Sequence, residues 1–173
     1  GYRFDQYDKS DYYVATGLDV RDYSNVQHTV RALYSTAPLP LWAEGHTLEL
    51  TGGGDLARDY LLTYQFRGDA HRQFTADGYV QADFHLGAQW EAVATARYDY
   101  FSVGHHGRPT TKLTARYRNG AWTLRASYGQ GFRAPTLKEK YMNFFLNDIF
   151  IIRGHEQLRP EVSHNWHVSA DWS

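Results

Sequence analysis

From Gln89 to Tyr100 the chain alternates with a period of two: Trp90, Ala92, Ala94, Ala96, Tyr98 and Tyr100 share one parity, and Gln89, Glu91, Val93, Thr95, Arg97 and Asp99 the other. Strict alternation of this kind puts one set of side chains on each face of a β-strand. The same pattern recurs from Thr110 to Arg118, from Ala121 to Gly129, from Phe74 to Leu86 and from Val162 to Trp172. Looser versions run from Tyr2 to about Val14, from Val26 to Thr36, and from His46 through Leu56 with an extension left open to Phe66. The periodicity thus predicts about eight antiparallel strands of roughly 9–13 residues, longer than the strands of ordinary globular sheets. Strands of about 9–11 residues with one apolar face suit a tilted crossing of a bilayer.

The connections alternate in length. Asn119-Gly120 reads as a two-residue type I′ hairpin turn, and Leu86-Gly87-Ala88 is nearly as tight. Phe101 to Pro109, Arg67 to Gln73, Asp8 to Asn25 and above all Gly131 to Glu161 are longer, and Ala37 to Gly45 is moderate. Outer-membrane barrels alternate in this way, with short turns on the periplasmic side and long loops outside. Trp90 and Trp122 follow short turns, while Tyr98, Tyr100, Phe101, Tyr128 and Phe132 lie at the far ends, which predicts two aromatic belts. Charged mid-strand residues such as Asp83, Glu91, Arg97, Arg116 and Arg125 all belong to the opposite parity. Facing lipid, each would cost roughly 2–4 kcal/mol at the midplane, so they must face a wet or paired interior. Side chains alone fill a closed eight-stranded barrel, so this much charge predicts one sector of a wider barrel.

Composition narrows the class further. Aromatics reach 16%, with 14 Tyr, while the mean hydropathy is −0.61, so many surfaces are half wet and half apolar. That balance suits a membrane interface and equally a carbohydrate-binding face. A net charge of −1 without any basic run argues against a nucleic-acid partner. The chain has no cysteine, which removes disulfides, thiolate chemistry and zinc–cysteine sites. No apolar run approaches the ~20 residues of a membrane helix. The chain opens at Gly1 without a signal peptide and stops at Ser173 inside an alternating run, so both ends read as cuts.

Ser127 to Tyr141, SYGQGFRAPTLKEKY, resembles the barrel signature of TonB-dependent receptors. A strand with a small-aromatic-Gly ending runs into Phe132-Arg133-Ala134-Pro135, followed by a Leu, an acidic residue and a Tyr. The family's later Gly-Asn-Pro-x-Leu-x-Pro-Glu run resembles Gly154 to Glu161, with Leu158, Pro160 and Glu161 in place and His155 standing in the Asn-Pro part. Asp22 to Asn25 leading to Gln27-His28-Thr29, and Arg97 to Phe101, look like family strand entries. The resemblance implies a barrel of about 22 strands with an N-terminal plug, energised through the TonB complex and importing scarce ligands such as iron–siderophore, haem or cobalamin. It implies a location in the bacterial outer membrane, in contact with its lipid. Residues 1–173 would then be a partial barrel domain lacking the plug and the remaining strands, with TonB engaged by the full-length protein and not through this segment.

No catalytic group is expected. No Gly-x-Ser-x-Gly and no spaced carboxylate pair points to hydrolysis, and Gly52-Gly53-Gly54 lacks the Lys-Ser/Thr of a phosphate loop. These glycines fit a bend or a close approach in a barrel wall. Nor does the sequence assure a metal site or require a cofactor; haem or a ferric siderophore enters as a transported ligand. Haem-uptake members of the family carry a histidine between the two boxes, and the resemblance makes His155 the candidate iron ligand, against the plain alternative of a solvated loop histidine. His105 and His106 lie at an expected external loop tip and can catch metal or haem, although adjacent side chains diverge. His164 and His167 have helical ligand spacing, which on a strand puts them on opposite faces. Phe132, Arg133, Ala134 and Pro135 shape the strand exit, and Arg133 can meet an anionic ligand or a plug carboxylate. Two rivals remain at this stage. One is a self-contained eight-stranded barrel acting as adhesin or anchor, which must pair its first and last strands. The other is a soluble all-β carbohydrate-binding module.

Overall fold

The alternating runs form strands of a single antiparallel meander. The computed structural model describes residues 1–9, 14–16, 23–63, 70–141, 143–146 and 150–173. Residues 10–13 of the first expected strand, Asp22 of the entry motif, residues 67–69 of an expected loop, and Ile149 lie outside the described residues. The strands are β1 (Tyr2–Lys9), β2 (Tyr23–Ser35), β3 (Leu39–Pro40), β4 (His46–Thr63), β5 (His71–Leu86), β6 (Trp90–Phe101), β7 (His106–Asn119) and β8 (Trp122–Arg133). A short helix α1 (Leu137–Tyr141) and a small hairpin of β9 (Asn143–Leu146) and β10 (Phe150–Arg153) follow, and then comes β11 (Glu161–Trp172). The main sheet runs β1-β2-β4-β5-β6-β7-β8-β11, with the two-residue β3 paired to the start of β4. These eight long strands are the eight that the periodicity locates. The path ends at β1 and β11, which do not pair with each other among the described residues. The pairing that a self-contained small barrel needs is therefore not made.

Register gathers the mainly apolar side chains of β5, β6 and β7 on one face. Trp90, Ala92, Ala94 and Ala96 pair with Tyr117, Ala115, Leu113 and Thr111 of β7 and with Leu86, Phe84, Ala82 and Val80 of β5. On the opposite face Glu91 pairs with Arg116, and Arg116 with Arg125. Among the described residues nothing covers the apolar face. Buried hydrophobic side chains among the described residues are confined to Leu61 and Leu137, while Val80, Leu113, Val168 and Trp166 stay 52%, 52%, 79% and 77% exposed. An apolar face of this extent marks a surface made to be covered. A soluble sandwich would bury it under a second sheet.

Aromatic rings frame that face. At the turn end Trp90 packs on Tyr117 with centroids 4.5 Å apart, Trp122 lies 6.5 Å from Trp172, and Trp42 meets His46 edge-on at 6.1 Å. Towards the loop end Tyr128 packs on Trp166 at 4.3 Å and Phe4 on His28 at 5.2 Å. Of the residues expected to form two belts, Trp90 and Trp122 thus pack at the turn end and Tyr128 towards the loop end. The polar face, in contrast, pairs its charges. Asp55, Asp77 and Asp99 stand side by side on β4, β5 and β6. Arg31 grips Asp55 at 2.6 and 2.7 Å, and Arg97 reaches Asp77 at 3.1 Å and Asp99 at 2.8 Å. Arg116 is bonded to Glu91, and Arg125 to Asp171.

Several boundaries differ from the sequence expectation. Strand β4 takes up the extension left open beyond Leu56 and runs 18 residues, while β5 begins at His71 and not Phe74, because their shared ladder continues to Leu61 and His71, where other side chains pack on them. Strand β7 begins at His106 and not Thr110, so Pro109 lies in the ladder opposite Tyr98. The hairpin after β7 turns through Gly120-Ala121, one residue later than expected, since Asn119 pairs with Trp122. Gly120 carries the turn's positive φ (58°), the pattern of a type II′ and not a type I′ turn. The triple glycine lies in β4, where a Cβ on Gly53 would meet the Ala32 carbonyl at 2.8 Å and one on Gly54 the Asp77 carbonyl at 2.5 Å. This is the close approach that the sequence suggested.

Among the described residues no helix is long and apolar enough to cross a membrane, which says nothing of a crossing by strands.

Candidate functional site

The conspicuous chemistry gathers at the loop end, where β8 leaves the sheet and β11 enters it. Phe132 and Arg133 are still strand residues, and Pro135, which has no N–H to give a ladder, lies two residues beyond the last pair. Thr136 caps the helix that follows. Its backbone N–H and hydroxyl donate to Glu139 Oε2 at 2.8 and 3.1 Å, while the Glu139 N–H donates to Thr136 Oγ1 at 3.2 Å. This reciprocal capping box starts a five-residue helix that would not stand alone.

Arg133 ties the box to both neighbours. Its Nε and Nη2 donate to Glu161 at 3.2 and 3.1 Å, and its Nη1 donates to Glu139 at 2.9 and 3.1 Å. Glu161 is also its direct cross-strand partner. The guanidinium is thus shared between two carboxylates of this chain. The Thr136 amide first, and then Arg133, hold the Glu139 carboxyl below its usual range.

Helix α1 lies across the polar face on β4 and β5. Leu137 packs against Leu61, with Val103 and Tyr141 beside them. The Tyr141 ring stacks on His71 at 3.9 Å and 10°, and burial pushes its phenol pKa up. Beneath α1 a cleft of about 360 Å³ opens, lined by Asn25, Gln27, Asp59, Gln73 and Leu137 among others. In it Gln27 Nε2 donates to Asp59 at 2.6 Å. The second box packs on the outer side of the helix. The His155 N–H donates to the Glu139 carbonyl at 3.1 Å, and a Cβ on Gly154 would lie 2.7 Å from the Lys140 carbonyl.

The candidate residues fall as follows. Phe132 rests on Phe101 at 5.8 Å, and Ala134 and Pro135 are half-buried and buried between β8 and α1. Leu158 closes a turn by donating to the His155 carbonyl at 3.1 Å, and Pro160 is half-buried just before β11. His155 is exposed, and its Nδ1 accepts from the Gln157 N–H at 3.2 Å. His105 holds a positive φ of 49° in the β6–β7 turn, with Tyr100 Oη 3.3 Å from its Nδ1. His106 begins β7 opposite Phe101 and lies over Gly104. Lys140 Nζ lies 3.3 Å from a Cβ placed on Gly104, so α1 has the His105–His106 turn and the His155 loop as neighbours. His164 and His167 take opposite faces of β11, His164 bonded to Tyr128. No group of three or more His, Cys, Asp or Glu that could hold a metal occurs among the described residues.

Sequence reasoning passed over Glu139 as a partner of Arg133, although Thr136-Leu137-Lys138-Glu139 carries the Thr-x-x-Glu signature of a cap. It also passed over Asp59, Gln73 and Leu61. Asp59 meets Gln27 and Gln73 across the ladder, and Leu61 is covered only where α1 folds back onto distant strands, which no local pattern encodes.

The family model described as TonB dependent receptor-like, beta-barrel, matches residues 1–173. Among solved structures, the siderophore receptor PirA from Pseudomonas aeruginosa superposes with a TM-score of 0.68 at 20% identity. The match covers 88% of this chain and 29% of that one, so the chain spans under a third of the receptor's length. No curated protein matches the sequence significantly.

Proposed function

The chain belongs to the TonB-dependent receptor-like β-barrel family, and from that premise we propose that it is a sector of the wall of an outer-membrane uptake receptor. The observation that carries this reading is the two-sidedness of the sheet: an uncovered apolar face between two aromatic belts, backed by a face whose arginines are paired with carboxylates. Lipid of the bacterial outer membrane covers the first face, and the receptor interior the second. The chain acts by binding and passage and performs no catalysis. In the whole receptor a plug and further strands complete the barrel, and TonB energises it through a segment other than this one.

The cargo is a scarce iron-bearing or cobalamin-like ligand, and we favour a ferric siderophore over haem. His155 supports that choice. A neutral imidazole accepting at Nδ1 carries its proton on Nε2, so iron ligation through Nε2 would require the bond from Gln157 to break. The same holds against an anionic ligand claiming Arg133, whose donors already serve Glu139 and Glu161.

The test uses the full-length receptor in outer-membrane vesicles, titrated in parallel with a ferric siderophore and with haemin. Saturable quenching of tryptophan fluorescence by the siderophore, without a haemin Soret shift, is the expected result. A Soret shift lost in His155→Ala would move the cargo to haem. No response to any iron chelate or cobalamin would overturn the uptake reading.

A further inference from the structure

On the polar face Arg31, Arg97, Arg116 and Arg125 each hold a carboxylate. The apolar face breaks its own rule at one place. Arg58 and Arg72 occupy even positions of β4 and β5, the parity of Leu56, Phe74 and Ala76, and therefore point outward. Both are exposed. Arg58 has no hydrogen bond or ion pair among the described residues, and Arg72 lies 5.4 Å over the Tyr60 ring. Since Arg58 pairs with Phe74 and Tyr60 with Arg72, the two arginines are diagonal neighbours, with a separation of about 7–8 Å. His28 pairs with Arg58 on the other side. The acidic residue on this part of the face, Asp8, is bound by Gln6 at 2.7 Å and by Ser24.

Height decides what can meet them. Arg58 is twelve residues along β4 from His46, which lies in the turn-end aromatic belt. At ~3.4 Å per residue and a tilt of ~40° that is roughly 30 Å, just beyond an apolar band ≈ 25 Å tall. Below the arginines, Val30, Leu56 and Phe74 offer an apolar floor at 51%, 51% and 41% exposure. Unpaired cations at headgroup height above apolar side chains complement an anionic head with acyl chains.

We propose that Arg58 and Arg72 form a docking surface on the outside of the wall for the phosphate-bearing headgroup of an anionic membrane lipid, whose chains lie on Val30, Leu56 and Phe74. The proposal rests on the wall reading above, in which the even face of β4 and β5 meets lipid. The two guanidiniums bracket one headgroup, and Arg72 stays aimed by its stacking on Tyr60.

The full chain is reconstituted in phosphatidylcholine vesicles containing phosphatidic acid, extracted in mild detergent, and its retained lipids are weighed by native mass spectrometry. Phosphatidic acid should be enriched over phosphatidylcholine, falling roughly fivefold in Arg58→Gln or Arg72→Gln and further in the double variant. Insertion is checked separately by alkali-resistant vesicle association and β-sheet circular dichroism. Enrichment unchanged in the double variant overturns the proposal, as does its loss on adding inorganic phosphate, which would make the site one for free anion. Failure of every form to insert would instead strike the wall reading.

Discussion

Arg133 and Glu161 face each other across β8 and β11, and the same guanidinium reaches Glu139 on α1. One side chain therefore joins the two sequence boxes, Arg133 and Glu161 lying 28 positions apart. Arg133 is 53% exposed and Glu161 71%, so solvent screens each pair and its contribution is small. The expected consequence of Arg133→Gln is local. Hydrogen exchange should quicken over residues 137–141 and 155–161 while the sheet from β5 to β8 stays protected. A double-mutant cycle with Glu139→Gln should return a small favourable coupling, and zero coupling would deny the link.

Glu139 makes this region sensitive to acid. Its carboxyl is held below its ordinary 4.5, chiefly by the Thr136 amide and then by Arg133. A depressed folded value means that the stabilisation is complete above the unfolded pKa and is lost as pH falls through the folded one. Exchange protection of α1 should therefore hold at neutral pH and fade below about pH 4. Glu139→Gln should be weaker at neutral pH and flat with pH over that window. Unchanged acid sensitivity in the variant would assign the effect to another group.

Gly154 is a steric requirement more than a flexible joint. A methyl group there would lie 2.7 Å from the Lys140 carbonyl carbon and oxygen and 2.8 Å from the Tyr141 nitrogen, all backbone atoms that cannot step aside. Gly154→Ala should detach the second box from α1 at a cost of about 1–3 kcal/mol. Gly1→Ala, with nothing within 4 Å, is the silent control. Limited proteolysis near residue 155 reads the difference.

The strap that α1 forms across the polar face depends on Leu61. At 1% exposure it is the most enclosed side chain among the described residues, and Leu61→Ala should cost about 2–4 kcal/mol. That loss should appear as release of α1, seen by relaxed Tyr141 fluorescence anisotropy, and not as loss of sheet. Sheet loss at equal temperature would mean that the strap supports the strands.

The strands were legible because each obeys one local rule. Trp90 to Tyr100 alternates so cleanly that its face assignment follows from parity alone, and the pairing of Glu91 with Arg116 agrees with it. Boundaries were less legible because they depend on partners. Pro109 looks like a loop residue until β7 is seen to pair through it, and Gly120 sets the turn only because Asn119 is held by Trp122. The site was legible as two motifs, but not as one place. Contacts between Leu137 and Leu61, or between Tyr141 and His71, join residues some seventy positions apart, and neither end carries a periodic signal.

Which face of β6 meets lipid decides whether the sheet is a membrane wall, and the absence of cysteine from the sequence makes that directly measurable. Single cysteines are placed at residues 92 to 97 of the full chain in vesicles and labelled with an environment-sensitive fluorophore. Quenching by a nitroxide in the acyl chains is then compared with quenching by an aqueous ion. Labels at 92, 94 and 96 should respond to the lipid quencher and those at 93, 95 and 97 to the aqueous one, alternating with period two. Even positions that are open to the aqueous quencher, or a scan without alternation, would contradict the membrane wall.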